Sequence, residues 1–158
     1  MEFEQLMGAL GREIGLEGFE PDEDGVFTLD VDGMEVSFAG IPEAGRFVVW
    51  ADVGEPPEEG RERLYRALLD AMYMGQATGG ATFAFAPDSD MLQLFRVESE
   101  ASADLQSLMS LVEGFVNLLE EWRALLSTFA EVAPEAARVE AADAEEDRQI
   151  GLGGFIRI

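Results

Sequence analysis

The chain contains no cysteine, no histidine and no lysine; all ten of its basic residues are arginine. These absences exclude much chemistry. Thiol nucleophiles, Ser-His-Asp triads, lysine Schiff bases, zinc fingers and disulfide frameworks all need side chains that are missing. A phosphate-binding P-loop needs its lysine. Long apolar runs are missing too. The longest, Phe47-Val48-Val49-Trp50-Ala51, is far short of a membrane span. The first ten residues, MEFEQLMGAL, have no basic stretch and do not read as a secretory signal.

Acid is abundant. The chain has 158 residues, 33 Asp+Glu and a net charge of −23. Nucleic-acid binding rests on basic side chains neutralising phosphates, so a surface of this sign is repelled from nucleic acid and from anionic membranes. Apolar residues make up 47% of the sequence, enough for the core of one domain.

Phe3, Leu6, Met7, Leu10 and Ile14 recur at three- and four-residue steps, which predicts a short amphipathic helix ending near Gly15 or Gly18. Gly8 and Gly11 weaken it intrinsically. Two alternating segments, 26–32 and 34–38, meet at Asp32-Gly33 and predict a hairpin. Residues 46–53 are apolar on both faces and predict a fully buried strand. Gly54 to Glu59 carries prolines and acids and predicts the start of a helix running to Gly75. Segments 81–86 and 91–97 predict a second hairpin. The broad stripe from Leu105 to Phe129 predicts a long helix from about Asp104 to Ala130, suited to packing across a sheet. The order α-β-β-β-α-β-β-α makes an α+β domain over 1–130, an antiparallel sheet flanked by helices. Residues 131–158 read as an acidic, mobile or loosely helical tail with an apolar end.

No motif rises to a catalytic centre. Asp22-Glu23-Asp24-Gly25 and Asp30-Val31-Asp32-Gly33 hint at calcium loops. In the calcium-loop register, however, position twelve is Val31 or Ala39 rather than Glu. Gly151-Leu152-Gly153-Gly154 lacks both the final glycine and the βαβ unit of a dinucleotide site. The carboxylates read as a solvated surface. No metal site, cofactor or enzymatic activity is expected. Surplus apolar surface is the informative feature, because a domain this small has few elements to cover both faces of a sheet.

Several segments together resemble the class I type III secretion chaperones, the Tir chaperone (CesT) family. The opening Phe3-Glu4-Gln5-Leu6-Met7 through Ile14-Gly15-Leu16 is similar to that family's first helix. Asp32-Gly33 resembles its first hairpin, and Arg61 through Leu64, Leu68, Leu69 and Ala71 its second helix. Ala77-Thr78-Gly79-Gly80-Ala81-Thr82-Phe83 resembles its turn into strand four, and Phe115-Val116-Asn117 with Glu121-Trp122 its last helix. Met72 departs from the polar residue usual there, and Ala86 from the usual Asp before Pro87.

The resemblance implies a small acidic cytoplasmic homodimer without ATPase activity. It would hold the N-terminal segment of a secreted effector extended, soluble and ready for export. Apolar client side chains are expected to fill pockets lined by Phe3, Leu6, Met7 and Leu10 from the first helix, with Phe27, Leu29, Val31, Val36 and Phe38 from the adjoining sheet, one face of which must form the chain's own core. An acid at Leu6 or Leu10 is then expected to abolish client binding and spare the fold. The resemblance implies a dimer contact in the region of the second helix and strand 81–86, and within it Leu64, Leu68, Met72, Phe83 and Phe85 are the residues assigned to the contact. An adaptor or immunity-type binding module of the same fold is the alternative. An enzyme working with carboxylates and a divalent metal is the remote third.

Overall fold

The structure, a computed structural model, describes residues 2–87 and 89–151, with side chains as far as Phe129. Helix α1 (Phe3–Glu13) leads into β1 (Val26–Val31), β2 (Met34–Ile41) and β3 (Arg46–Gly54). Helix α2 (Arg61–Met72) precedes β4 (Thr82–Phe85) and β5 (Leu92–Ser99), and α3 (Leu105–Gly151) closes the order. The α-β-β-β-α-β-β-α order read from the sequence is the order observed.

The strands form one antiparallel sheet in the order β1-β2-β3-β5-β4. Asp32 and Gly33 both take positive φ (53° and 79°) and make the two-residue turn of the first hairpin. Such a turn matches the right-handed twist of its strands, and only small or turn-forming residues tolerate it. The Asp30 carboxylate accepts a hydrogen bond from the Gly33 N–H at 3.0 Å and secures the turn.

Strand alternation sorts the side chains. Phe27, Leu29, Val36, Phe38, Phe47, Val49, Leu92 and Leu94 all point to the helical side and are buried there. Leu6, Met7 and Leu10 from α1 close this core, together with Leu64 and Leu68 from α2. Leu108, Phe115, Leu119 and Trp122 close it from α3. Burying each large side chain stabilises by about 1.5–3 kcal/mol. Strand β3 is central, but only its odd-numbered residues lie in the core. Val48 and Trp50 face the other way and stay half-exposed, so the strand is not buried on both faces as expected.

Two boundaries differ from the sequence reading. Helix α2 begins at Arg61 rather than among Gly54–Glu59, after Gly60 in a left-handed conformation. Pro56 and Pro57 have no N–H to give a helix interior, and the Pro57 carbonyl instead accepts from the Arg61 guanidinium at 3.0 Å. Helix α3 continues past Ala130 to Gly151, so the backbone of 131–149 follows the helical alternative. Its Ala- and Glu-rich composition favours helix. The apolar end of the tail, 152–158, lies outside the described residues.

Candidate functional site

A groove of ≈ 1020 Å³ runs between the end of α1, strand β1 and the first turns of α3. Leu10, Leu29, Val112 and Val116 form its floor. Ile14, Leu16 and Met109 stand exposed on its walls, with Val31 and Leu105 partly exposed between them. Glu13, Asp30, Asp32 and Glu113 line its rim. The groove is therefore greasy within and negative at its edges.

Helix α1 opens it by stopping where it does. Gly15 takes φ 74°, and the Leu16 N–H returns to the Gly11 carbonyl at 2.9 Å, a left-handed helix end. Ile14 and Leu16 are thus carried past the helix into solvent. At the other wall, α3 starts on a reciprocal cap. The Asp104 carboxylate accepts from the Ser107 N–H at 2.8 Å, and the Ser107 hydroxyl accepts from the Asp104 N–H at 2.9 Å. The Ser107 backbone and hydroxyl hydrogen bonds together hold the Asp104 carboxyl below its ordinary range.

Beside the groove the sheet ends in an open edge. Val26 turns its main-chain groups away from β2: its carbonyl accepts from the Asp22 N–H and its N–H donates to the Asp22 carboxylate, each at 2.9 Å. Alternation along an antiparallel ladder therefore directs the N–H and C=O of Thr28 and Asp30 outward as well. The opposite edge, β4, is partly covered, since the Phe83 N–H meets the Met72 thioether of α2 at 3.2 Å.

A second apolar surface lies on α2. Tyr65, Leu69 and Tyr73 follow at four-residue steps, and Phe85 meets Tyr65 edge to face at 5.8 Å. Tyr73 is 75% exposed and Met74 76%. Met74 also has φ 57°, a left-handed conformation that strains a side-chain-bearing residue.

These positions correct the sequence assignment of surface residues. Of the nine expected client contacts, Phe3, Leu6, Met7, Leu10, Phe27, Leu29, Val36 and Phe38 are buried in the chain's own core. Only Val31 is partly exposed. Leu10, Leu29 and Val31 border the groove; the other six do not. The sheet needs one covered face, and these are the side chains that α1 and α3 cover. Of the expected dimer contacts, Leu64, Leu68 and Phe83 are core residues, and Phe83 packs on Trp122 at 4.7 Å. Met72 is half-buried under β4, and Phe85 alone is exposed. Ile14, Leu16 and Met109 in the groove, and Tyr73 and Met74 on the patch, were missing from the sequence assignment. Ile14 already belonged to the first helix's stripe, one step past its last buried member.

An apolar groove rimmed by acids, an open strand edge beside it and a second greasy patch define a protein-binding scaffold. Among the described residues, no helix is long and apolar enough to cross a membrane. Comparison with family models makes the class specific. Residues 5–123 match the Tir chaperone protein (CesT) family, and the chain belongs to that family, the class I chaperones of type III secretion.

Solved structures agree in fold. A chain of the ExsC–ExsE complex superposes with a TM-score of 0.66 at 22% identity, covering 77% of this chain and 91% of that one. A chain of the HopA1–SchA chaperone–effector complex gives 0.64 at 13% identity, covering 77% and 93%. The structure of the Yersinia pestis type III secretion chaperone SycH with a fragment of YscM2 gives 0.60 at 22%, covering 75% and 97%. No curated protein sequence matches the chain.

Proposed function

We propose that this chaperone holds the N-terminal segment of a secreted effector in extended form along the groove and the open edge of β1. The groove carries the reading: apolar side chains stand in solvent next to unpaired strand main chain. A client strand laid beside Thr28 and Asp30 gains main-chain hydrogen bonds that tolerate varied sequence. Its alternate side chains then fall against Val31, Ile14 and Met109. Methionine at this position adapts its shape to different clients. Each large apolar anchor buried contributes about 1.5–3 kcal/mol before ordering costs. The acids of the rim favour basic client residues, and the net charge of −23 keeps the loaded chaperone in solution.

The protein works by binding alone, in the bacterial cytoplasm, and as a homodimer. Leu69, Tyr73, Met74 and Phe85 supply the dimer contact in this reading. Large apolar side chains at such exposure, one of them on strained backbone, fit a surface that a second copy covers. The complexes formed by the fold's relatives, HopA1–SchA and ExsC–ExsE, support an effector as the partner.

The test is co-expression with the N-terminal fragment of an effector encoded beside the chaperone. The wild-type chain should bring the fragment into the soluble fraction, and Met109→Glu in the groove should not. Soluble fragment in equal yield with and without the chaperone would refute the reading.

A further inference from the structure

Among the described residues, no element covers the face of the sheet opposite the helices. All three helices pack on the side of Phe38, Phe47 and Val49, so the alternate residues of each strand face outward with no element above them among the described residues. The centre of that outer face is apolar, although Thr28, Ser37 and Thr82 share the row of Trp50 and Phe95. Trp50 pairs with Phe95 across β3 and β5, Val48 pairs with both Ala39 and Val97, and Ile41 stands at the end of β2. Val97 and Ile41 are exposed, and Trp50, Phe95 and Val48 are partly so. A solvated sheet face normally alternates to polar residues. This one carries two aromatic rings and three β-branched side chains on its central strands.

One end of the face is acidic. Asp30, Glu35 and Asp52 line a hollow of ≈ 400 Å³ with Ser37, Gln93 and the edge of Trp50. Arg123 also reaches this hollow, but its guanidinium donates to the Asp52 carbonyl at 2.7 and 3.1 Å. The Asp52 carboxylate accepts from the Gln93 amide at 2.8 Å. Three carboxylates against one tethered guanidinium leave the hollow negative, and among the described residues no other basic side chain lines it. Arg46 lies at the far end of β3, beyond Val48.

We propose that this outer face, centred on Trp50 and Phe95, docks a second stretch of the effector that is apolar and carries arginine or lysine. The proposal rests on the effector-binding reading above and adds a site separate from the groove. The apolar row takes the client's aliphatic side chains, and the Asp30–Glu35–Asp52 hollow takes a cationic one. The two surfaces lie on opposite faces of one sheet, joined round the open β1 edge. A client strand leaving the groove at that edge therefore has the outer face directly in its path.

The probe is a short synthetic peptide alternating leucine with arginine, used with the full-length chain. Two twins serve as controls, one with glutamate for arginine and one with serine for leucine. Trp122 is buried against Phe83, so Trp50 is the tryptophan that solvent quenchers reach. The leucine–arginine peptide should bind, shift Trp50 emission to the blue and shield it from acrylamide. Trp50→Thr with Val97→Thr should weaken binding by about tenfold or more, the loss of one to two apolar anchors. Glu35→Gln with Asp52→Asn should weaken it less and flatten its salt dependence. Neither twin should match the parent peptide.

Peptide binding that leaves Trp50 emission unchanged and survives Trp50→Thr with Val97→Thr would overturn the proposal. If Met109→Glu abolishes that binding, the groove reading stands and only the outer-face site fails. Loss of effector solubilisation by the wild-type chain would instead bring down the function itself.

Discussion

The Phe19 side chain occupies the space that a side chain at Gly11 would need: a Cβ added there would lie 2.8 Å from the Phe19 Cβ. After α1 ends, the chain doubles back over its last turn, and Phe19 then packs on Phe27 at 5.3 Å. Gly11 is buried because another segment lies on it. The residue that lowers the helix propensity of α1 is the one that lets the loop close over the core.

Two glycines in one helix should therefore respond with opposite sign. Gly8→Ala meets only the Arg12 guanidinium, at 3.6 Å, and should stabilise by up to about 1 kcal/mol through helix propensity. Gly11→Ala should destabilise by about 1–3 kcal/mol, because Phe19 must shift in a packed site. Urea unfolding of the two variants measures both. A stabilised Gly11→Ala would show that the loop yields freely.

An acid at Leu6 should unfold the protein. Leu6 has no exposure and belongs to the hydrophobic core. Leu6→Asp combines a lost apolar side chain with a buried carboxyl and should cost more than about 3 kcal/mol. Leu16→Glu, on the exposed groove wall, should leave the thermal midpoint nearly unchanged and lower effector solubilisation. Circular dichroism separates the two. A folded Leu6→Asp would return α1 to the surface where the sequence reading placed it.

The α2 patch predicts the oligomeric state. Leu69→Glu with Tyr73→Glu should reduce the mass in light scattering from that of two chains to that of one. Their side chains are among the most exposed apolar groups of the molecule, so circular dichroism should still show folded chains. An unchanged dimeric mass would move the contact elsewhere.

Asp104 gives a pH dependence with a defined sign. Its carboxyl is held below the usual carboxylate range by the Ser107 N–H and hydroxyl, so the folded state favours the ionised form. A group with a depressed folded pKa contributes stability that is present above its unfolded pKa and lost as pH falls through the folded value. Wild type should therefore lose part of its cap on acidification below the ordinary carboxylate range. Asp104→Asn keeps a capping oxygen without a titrating charge, so it should narrow the gap to wild type as pH falls. Thermal melts across that range test this. A gap that widens at low pH would contradict the assignment.

Much of the fold was legible because period and turn chemistry are local. The three- and four-residue steps of Phe3, Leu6, Met7 and Leu10 gave α1, and Asp32-Gly33 gave the hairpin. The candidate site was less legible. Periodicity marks which side chains share a face, but not whether that face meets solvent or a neighbouring helix. Leu6 and Ile14 belong to the same stripe, yet Leu6 is sealed in the core while Ile14, at the end of α1, stands exposed on the groove wall. Trp50 and Val49 are adjacent and both apolar. Only the placement of every helix on one side of the sheet makes Val49 core and Trp50 surface.

The amino-acid order alone determined the succession of helices and strands, the hairpin at Asp32-Gly33, the family and the absence of cysteine, histidine and lysine chemistry. These depend on residue type and on contacts within a few positions. Tertiary structure alone decided that Leu6, Val36 and Phe38 belong to the interior, that Ile14, Leu16 and Met109 open on a groove, and that among the described residues nothing lies over one face of the sheet. Exposure depends on which distant segments come to lie over a side chain, and here the three described helices all pack on one face of the five strands.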